Sequence, residues 1–171
     1  PGRERVMQAD VRKLRVLFLC TGNSCRSQMA EGWARALKGD LVEACSAGIE
    51  KRGMDPHAVK VMAEAGVDIS RQYSKTSAEI GPVEFDCVVT VCGAVDENCP
   101  VFPGKAKVVQ VEFEDPPKLT KELPDGEEKL AVFRRVRDGI RAFVEGLPQC
   151  LESEVRNPKA EGLKQRKGVR A

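Results

Sequence analysis

Cys20-Thr21-Gly22-Asn23-Ser24-Cys25-Arg26-Ser27 places a thiol and a guanidinium at the two ends of a short, glycine-containing loop. With five residues between Cys and Arg, successive backbone N–H groups can curl around a tetrahedral anion while the Arg closes the loop through paired hydrogen bonds. Thr21, Gly22, Asn23, Ser24, Cys25, Arg26 and Ser27 are therefore the expected oxyanion ligands, with Cys20 the nucleophile at their floor. The positive field that holds an anion also favours thiolate over thiol, and the thiolate is the attacking form. The spacing alone is a weak signal, because a Cys ending a strand before an ordinary Thr-Gly-Asn-Ser turn also satisfies it. Its context is stronger. The apolar run Leu14-Arg15-Val16-Leu17-Phe18-Leu19 leads in, and a helix-like stretch leads out.

The elements that must position this loop alternate between strand and helix. Leu14–Leu19 reads as a strand, and Ser27–Leu37 as a helix with Met29, Ala30, Trp33, Ala34 and Leu37 on one face. Asp40–Cys45 reads as a second strand. Asp55-Pro56 is a cap followed by Pro at the first helical position, opening a helix that Gly66 ends. Phe85–Val91 and Ala106–Val111 read as buried strands. Leu130, Phe133, Val136, Ile140, Phe143 and Leu147 recur every three or four residues, which predicts the longest helix over Glu127–Gly146. The alternation implies an α/β fold: a single domain, residues 12–148, with a four-stranded parallel sheet and helices on both faces. Residues 1–11 and 149–171 are expected to be flexible termini. The ligand site is expected at the carboxyl ends of the strands, where Cys20 and Cys92 both fall.

Composition narrows the class. The chain has 171 residues, enough for one domain with a substantial core, and a formal charge of +2. Residues 1–15 carry five basic and two acidic side chains and residues 151–171 six basic and three acidic, so the middle is net negative. No aromatics interleave with the basic residues and no long Lys/Arg run occurs, which argues against nucleic acid. No stretch has the length and apolarity of a membrane span, and the charged opening Pro1-Gly2-Arg3-Glu4-Arg5 is not followed by the apolar region of a signal peptide. Seven cysteines, one of them inside an anion loop, suit a reducing, cytoplasmic setting. Cys92 and Cys99 flank six residues and could be core residues, half a metal site or a redox pair. Zinc is disfavoured, since the chain has no C-x2-C and His57 is its only histidine. Asp115, before Pro116-Pro117, could be a turn residue or an acid.

Residues 20–33, Cys-Thr-Gly-Asn-Ser-Cys-Arg-Ser-Gln-Met-Ala-Glu-Gly-Trp, resemble the thioredoxin-coupled arsenate reductases, which share the low-molecular-weight protein tyrosine phosphatase fold. The likeness includes Ser46-Ala47-Gly48-Ile49, Val88-Val89-Thr90-Val91-Cys92, Asn98-Cys99-Pro100, Asp115-Pro116 and Arg135-Val136-Arg137-Asp138, and runs from about Leu14 to Leu147. The resemblance implies a phosphate loop after the first strand and a thiol relay for arsenate reduction. Cys20 attacks arsenate held by the loop and Arg26, and Asp115 protonates a departing oxygen. Cys92 then takes over Cys20, and Cys99 takes over Cys92. A carrier such as thioredoxin, or a glutaredoxin-like protein, reduces the final Cys92–Cys99 disulfide. No bound cofactor and no metal are implied, and the protein is expected to act as a monomer. In some relatives, equivalents of Asn23, Glu31 and Ser46 join an Asp around a potassium ion. Lys75 stands at the position matching that Asp, so an ammonium is expected to replace the ion.

Asn23 is expected to shape the loop and Ser27 to hydrogen-bond Cys20. Cys25, Cys45 and Cys87 read as structural, Cys150 as an exposed thiol and His57 as a surface residue. Two other functions compete. A phosphatase acting on phosphate monoesters would use Cys20, Arg26 and Asp115 but neither Cys92 nor Cys99. A non-enzymatic thiol redox sensor would need a partner surface that no motif marks.

Overall fold

The computed structural model describes residues 12–92 and 106–153. Four strands, β1 (Leu14–Cys20), β2 (Val42–Gly48), β3 (Cys87–Thr90) and β4 (Lys107–Gln110), form one parallel sheet in the order β2-β1-β3-β4. The central strand is the most apolar one. Val16, Leu17, Phe18 and Leu19 are all buried on both faces, as a parallel sheet requires, and each side chain of this size contributes roughly 1.5–3 kcal/mol on full burial.

The pleat of β1 splits the core in two. Val16, Phe18 and Cys20 face the larger side, packed with Met29, Ala30 and Trp33 of α1 (Arg26–Lys38), Val61 and Met62 of α2 (Pro56–Glu64), and Phe133 and Ile140 of α5 (Glu127–Glu145). Leu17 and Leu19 face the other side with Ala47 and Val88, closed by Ile80 of the short α3 (Ser77–Ile80) and by Phe85. Two further short helices complete the described chain, α4 (Pro116–Leu119) and α6 (Gln149–Ser153).

Local chemistry sets the boundaries. Asp55 caps α2, its side chain accepting from the N–H groups of His57 and Ala58, with Pro56 at the first helical position. At the other end Gly66 takes φ +86°, and the N–H groups of Gly66 and Val67 return to Ala63 and Met62, a Schellman ending that needs a left-handed residue. β2 begins later than expected and runs on to Gly48, because its partner β1 continues to Cys20 and the register pairs Cys20 with Gly48. β3 is shorter than the apolar run Phe85–Val91: only Val16–Leu19 of β1 pairs with it.

Three expectations need correction. The terminus beyond residue 148 starts with α6, whose Leu151 is buried in the main core and whose carbonyl accepts from Lys107 Nζ. Cys150 is half-buried and directed at the Phe143 carbonyl, not exposed. His57 is also half-buried: its ring lies 5.2 Å from that of Phe133, with Nε2 3.1 Å from Asp125 Oδ1. Among the described residues no helix is long and apolar enough to cross a membrane.

Leu151→Ala removes a fully packed side chain from a core that cannot wholly collapse around the gap. It should cost about 2–5 kcal/mol, read as a lowered urea midpoint at unchanged slope.

Candidate active site

The loop from Cys20 to Arg26 joins the end of β1 to the start of α1, so both the strand end and the helix amides aim at one point. Its carbonyls are each tied outward. Thr21 C=O accepts from Ile49 N at 2.9 Å and Glu50 N at 3.1 Å, Gly22 C=O from Arg52 N and Ser74 Oγ at 3.1 Å, and Ser24 C=O from Asp55 N at 3.0 Å. Because N–H and C=O point oppositely across a trans peptide, this leaves the N–H edges of the loop for an anion. Gly48 allows the close approach. A Cβ there would lie 2.7 Å from Thr21 O and 2.9 Å from Asn23 N, so the segment following β2 could not dock.

Asn23 is the centre of the loop. It is fully buried with φ +47°, a left-handed conformation that Asn tolerates better than most residues. Its Oδ1 accepts from Lys75 N at 3.0 Å and Gln28 Nε2 at 2.8 Å, and its Nδ2 donates to Ser27 Oγ at 2.9 Å. The Ser27 hydroxyl in turn stands 2.9 Å from Cys20 Sγ, where it donates to a thiolate or accepts from a thiol. The contact ties the sulfur to the same hydrogen-bonded set that shapes the loop. Cys25 behaves differently. Burial raises its thiol well above the usual range, and the nearby Asp55 charge adds to this, so it stays protonated beside a reactive neighbour.

Arg26, the first residue of α1, is 6% exposed in its side chain. Its Nη1 donates to Phe113 O at 3.1 Å, and Nη2 lies 3.5 Å from Asp115 Oδ2. The structure thus brings Asp115 to the Arg26 side of the loop, half-buried and at the start of α4. Cys92 is fully buried just beyond β3. Thr90 pairs with Leu19, and Val91 N donates to Leu19 O, so Cys92 emerges at the carboxyl edge that also carries Cys20. Cys99 lies outside the described residues, as do Asn98 and Pro100.

Behind the loop sits a buried charge pair. Glu31 is 1% exposed, and burial pushes its carboxyl above the usual range, partly offset by Lys75 and Arg35. Lys75 Nζ stands 3.9 Å from Glu31 Oε1. Among the described residues no cluster of three or more His, Cys, Asp or Glu side chains could hold a metal ion.

Sequence reasoning did not single out Gln28, whose amide joins Asn23 to the Tyr73 carbonyl, or Ser74. A Gln directly after the loop, in the first turn of an inward-facing helix, is a signal that could have found Gln28. Ser74 and the Phe113 carbonyl carry none, because a hydroxyl or backbone acceptor in a distant loop has no pattern of its own.

Comparison with known proteins matches this geometry. The pattern of the family described as Low molecular weight phosphotyrosine protein phosphatase matches residues 15–157. The chain belongs to this family. It is 52% identical over 125 residues to an arsenate reductase of Halalkalibacterium halodurans, covering 73% of this chain and 88% of that protein. Among solved structures it is similar to an arsenate reductase in the phosphate-binding state, with 32% identity, TM-score 0.62, and coverage of 78% of this chain and 95% of the other. It is also similar to the low molecular weight protein tyrosine phosphatase of T. tengcongensis, with 29% identity, TM-score 0.60, and coverage of 80% and 99%.

Ser27→Ala deletes the hydroxyl directed at Cys20. A hydrogen bond to a charged acceptor is worth about 1.5 kcal/mol, so alkylation of Cys20 at pH 7, followed by peptide mass mapping, should slow about tenfold.

Proposed function

We propose that the protein reduces arsenate to arsenite through Cys20, Cys92 and Cys99, drawing electrons from a thiol carrier of the thioredoxin kind. The observation that carries this reading is the second thiol. Cys92 is buried at the same sheet edge as Cys20, where a phosphatase needs only one. The identity to arsenate reductases over most of the chain supports it independently.

The chemistry balances with the groups present. The Cys20 thiolate attacks arsenic of an arsenate held by the loop amides and Arg26, and a hydroxide leaves as water after taking a proton from Asp115. Arsenic is still pentavalent in this adduct. The Cys92 thiolate then attacks Cys20 Sγ, the sulfur–arsenic bond breaks, and its electron pair departs with arsenic as arsenite. Cys99 attacks Cys92 Sγ and releases the Cys20 thiolate, which leaves the Cys92–Cys99 disulfide. A carrier dithiol reduces that disulfide and becomes oxidised in turn. Free thiolates of this reactivity need a reducing compartment, hence the cytoplasm. The monomer is taken as the working unit, because every group in the sequence of steps belongs to one chain.

The Lys75 ammonium, beside buried Glu31, supplies the positive charge behind the loop. Exchanging sodium for potassium at fixed ionic strength should therefore leave turnover and Tm unchanged. A several-fold gain in turnover with potassium would remove this role from Lys75.

The rival phosphatase shares the loop and Asp115, so weak hydrolysis of phosphate esters is an expected by-product. Cys92→Ser and Cys99→Ser separate the two. Each should stop multiple-turnover arsenate reduction with a thioredoxin recycling system and leave hydrolysis of a small aryl phosphate nearly untouched, since water resolves the phosphorylated Cys20. Arsenate reduction at the parent rate in both variants would sink the relay.

A further inference from the structure

We propose that Phe113 is a positioning residue for the oxyanion-binding guanidinium: its ring, seated on α5, fixes the backbone carbonyl that orients Arg26. An arginine is effective at an anion site only if its planar fork is already aligned when the anion arrives, because the side chain otherwise samples many rotamers. Arg26 meets this demand from outside its own helix. Its Nη1 donates to Phe113 O at 3.1 Å, across 87 positions of sequence, and its Nη2 faces Asp115 two residues further on. One five-residue segment, 111–115, thus sets both the plane of the guanidinium and the place of the acid.

That segment has no regular structure. It is held at its ends, where Val111 N donates to Thr90 O and Asp115 O accepts from Leu119 N. Between them α5 supplies two anchors. The Glu114–Arg135 ion pair, 2.7 Å long, has both partners mostly exposed, and such pairs contribute little. The other anchor is the Phe113 ring. It packs edge-on to Phe143, with centroids 6.3 Å apart and planes at 72°, a favoured aromatic geometry. It also lies over Gly139, where a Cβ would come to 3.9 Å from ring atoms Cδ1 and Cε1. Gly139 and Phe143 are one helical turn apart, so they present one seat. Glycine, a poor helix former, stands here inside the 19-residue α5 and leaves the helix surface flat beneath the Phe113 ring. A methyl at 139 would touch the ring at an ordinary distance, and a larger side chain on that side would lift it.

The proposal rests on Arg26 as an oxyanion ligand but not on arsenate chemistry, so inorganic phosphate is the probe. In full-length protein, Phe113→Ala should weaken phosphate binding by calorimetry about five- to tenfold, and Phe113→Leu should restore most of it. Two alkylating reagents separate positioning from general loosening. Iodoacetate carries a carboxylate that the guanidinium attracts, and iodoacetamide does not. Phe113→Ala should slow iodoacetate at Cys20 by a similar factor and leave iodoacetamide within twofold. Unchanged phosphate affinity, or equal slowing by both reagents, overturns the proposal. Should Phe113→Ala not fold, Phe143→Ala removes the seat from the helix side, with the same direction expected and unchanged affinity overturning. Arg26→Ala in parallel isolates the underlying reading: if it keeps its phosphate affinity, the anion site itself is wrong, and the role of Phe113 falls with it.

Discussion

A loop that binds an anion through its amide hydrogens must first dispose of its carbonyls, and the arrangement of the site follows from how this chain does so. Thr21, Gly22 and Ser24 hand theirs to Ile49, Glu50, Arg52, Ser74 and Asp55, while the Asn23 carbonyl goes to Gln28. The turn this demands is taken at Asn23, whose side chain then has all its partners inside the protein. Gly48 is the matching concession on β2, lacking the one atom that would block docking. The sheet order serves the same end. With β1 in the centre, β2 and β3 flank it, and one brings the buttress while the other brings Cys92.

Electrostatics divide by depth. In front of the loop Arg26 and Asp115 stand close enough to exchange influence, and an incoming anion competes with the carboxylate for the guanidinium. Behind it Glu31 and Lys75 form a buried pair, whose worth lies less in net stability than in the cost of removing one partner alone. Cys20 and Cys25 show how strongly local placement matters for one functional group. The former meets the Ser27 hydroxyl; the latter meets burial and the field of Asp55.

Strands and long helices were legible because burial repeats every two residues in one and about every three and a half in the other. The Asp55 cap, the Gly66 stop and the apolar face of α5 all stand where the pattern predicts them. α3, α4 and α6 were missed because four or five residues are too few to show a period; only the Thr76 capping box, with Glu79 reaching back, marks α3 at all. The docking of α6 could not be read for a related reason: a single buried Leu151 in a charged stretch leaves no pattern. At the site, the residues of the loop could be read because side-chain type carries the chemistry. The Phe113 carbonyl could not, since any residue has one.

Apart from Ser27 and Gln28, the partners that hold the loop come from the segment after β2, the start of α2 and residues 73–75, all distant in sequence from Cys20. None of these contacts is local, so loop closure must be paid for before any of them forms. The loop therefore takes its shape only when these distant segments have docked around it. A partly folded chain has Cys20 and Arg26 in its sequence but not the buttressed loop between them, so the geometry of the site is a property of the whole fold and not of its signature segment.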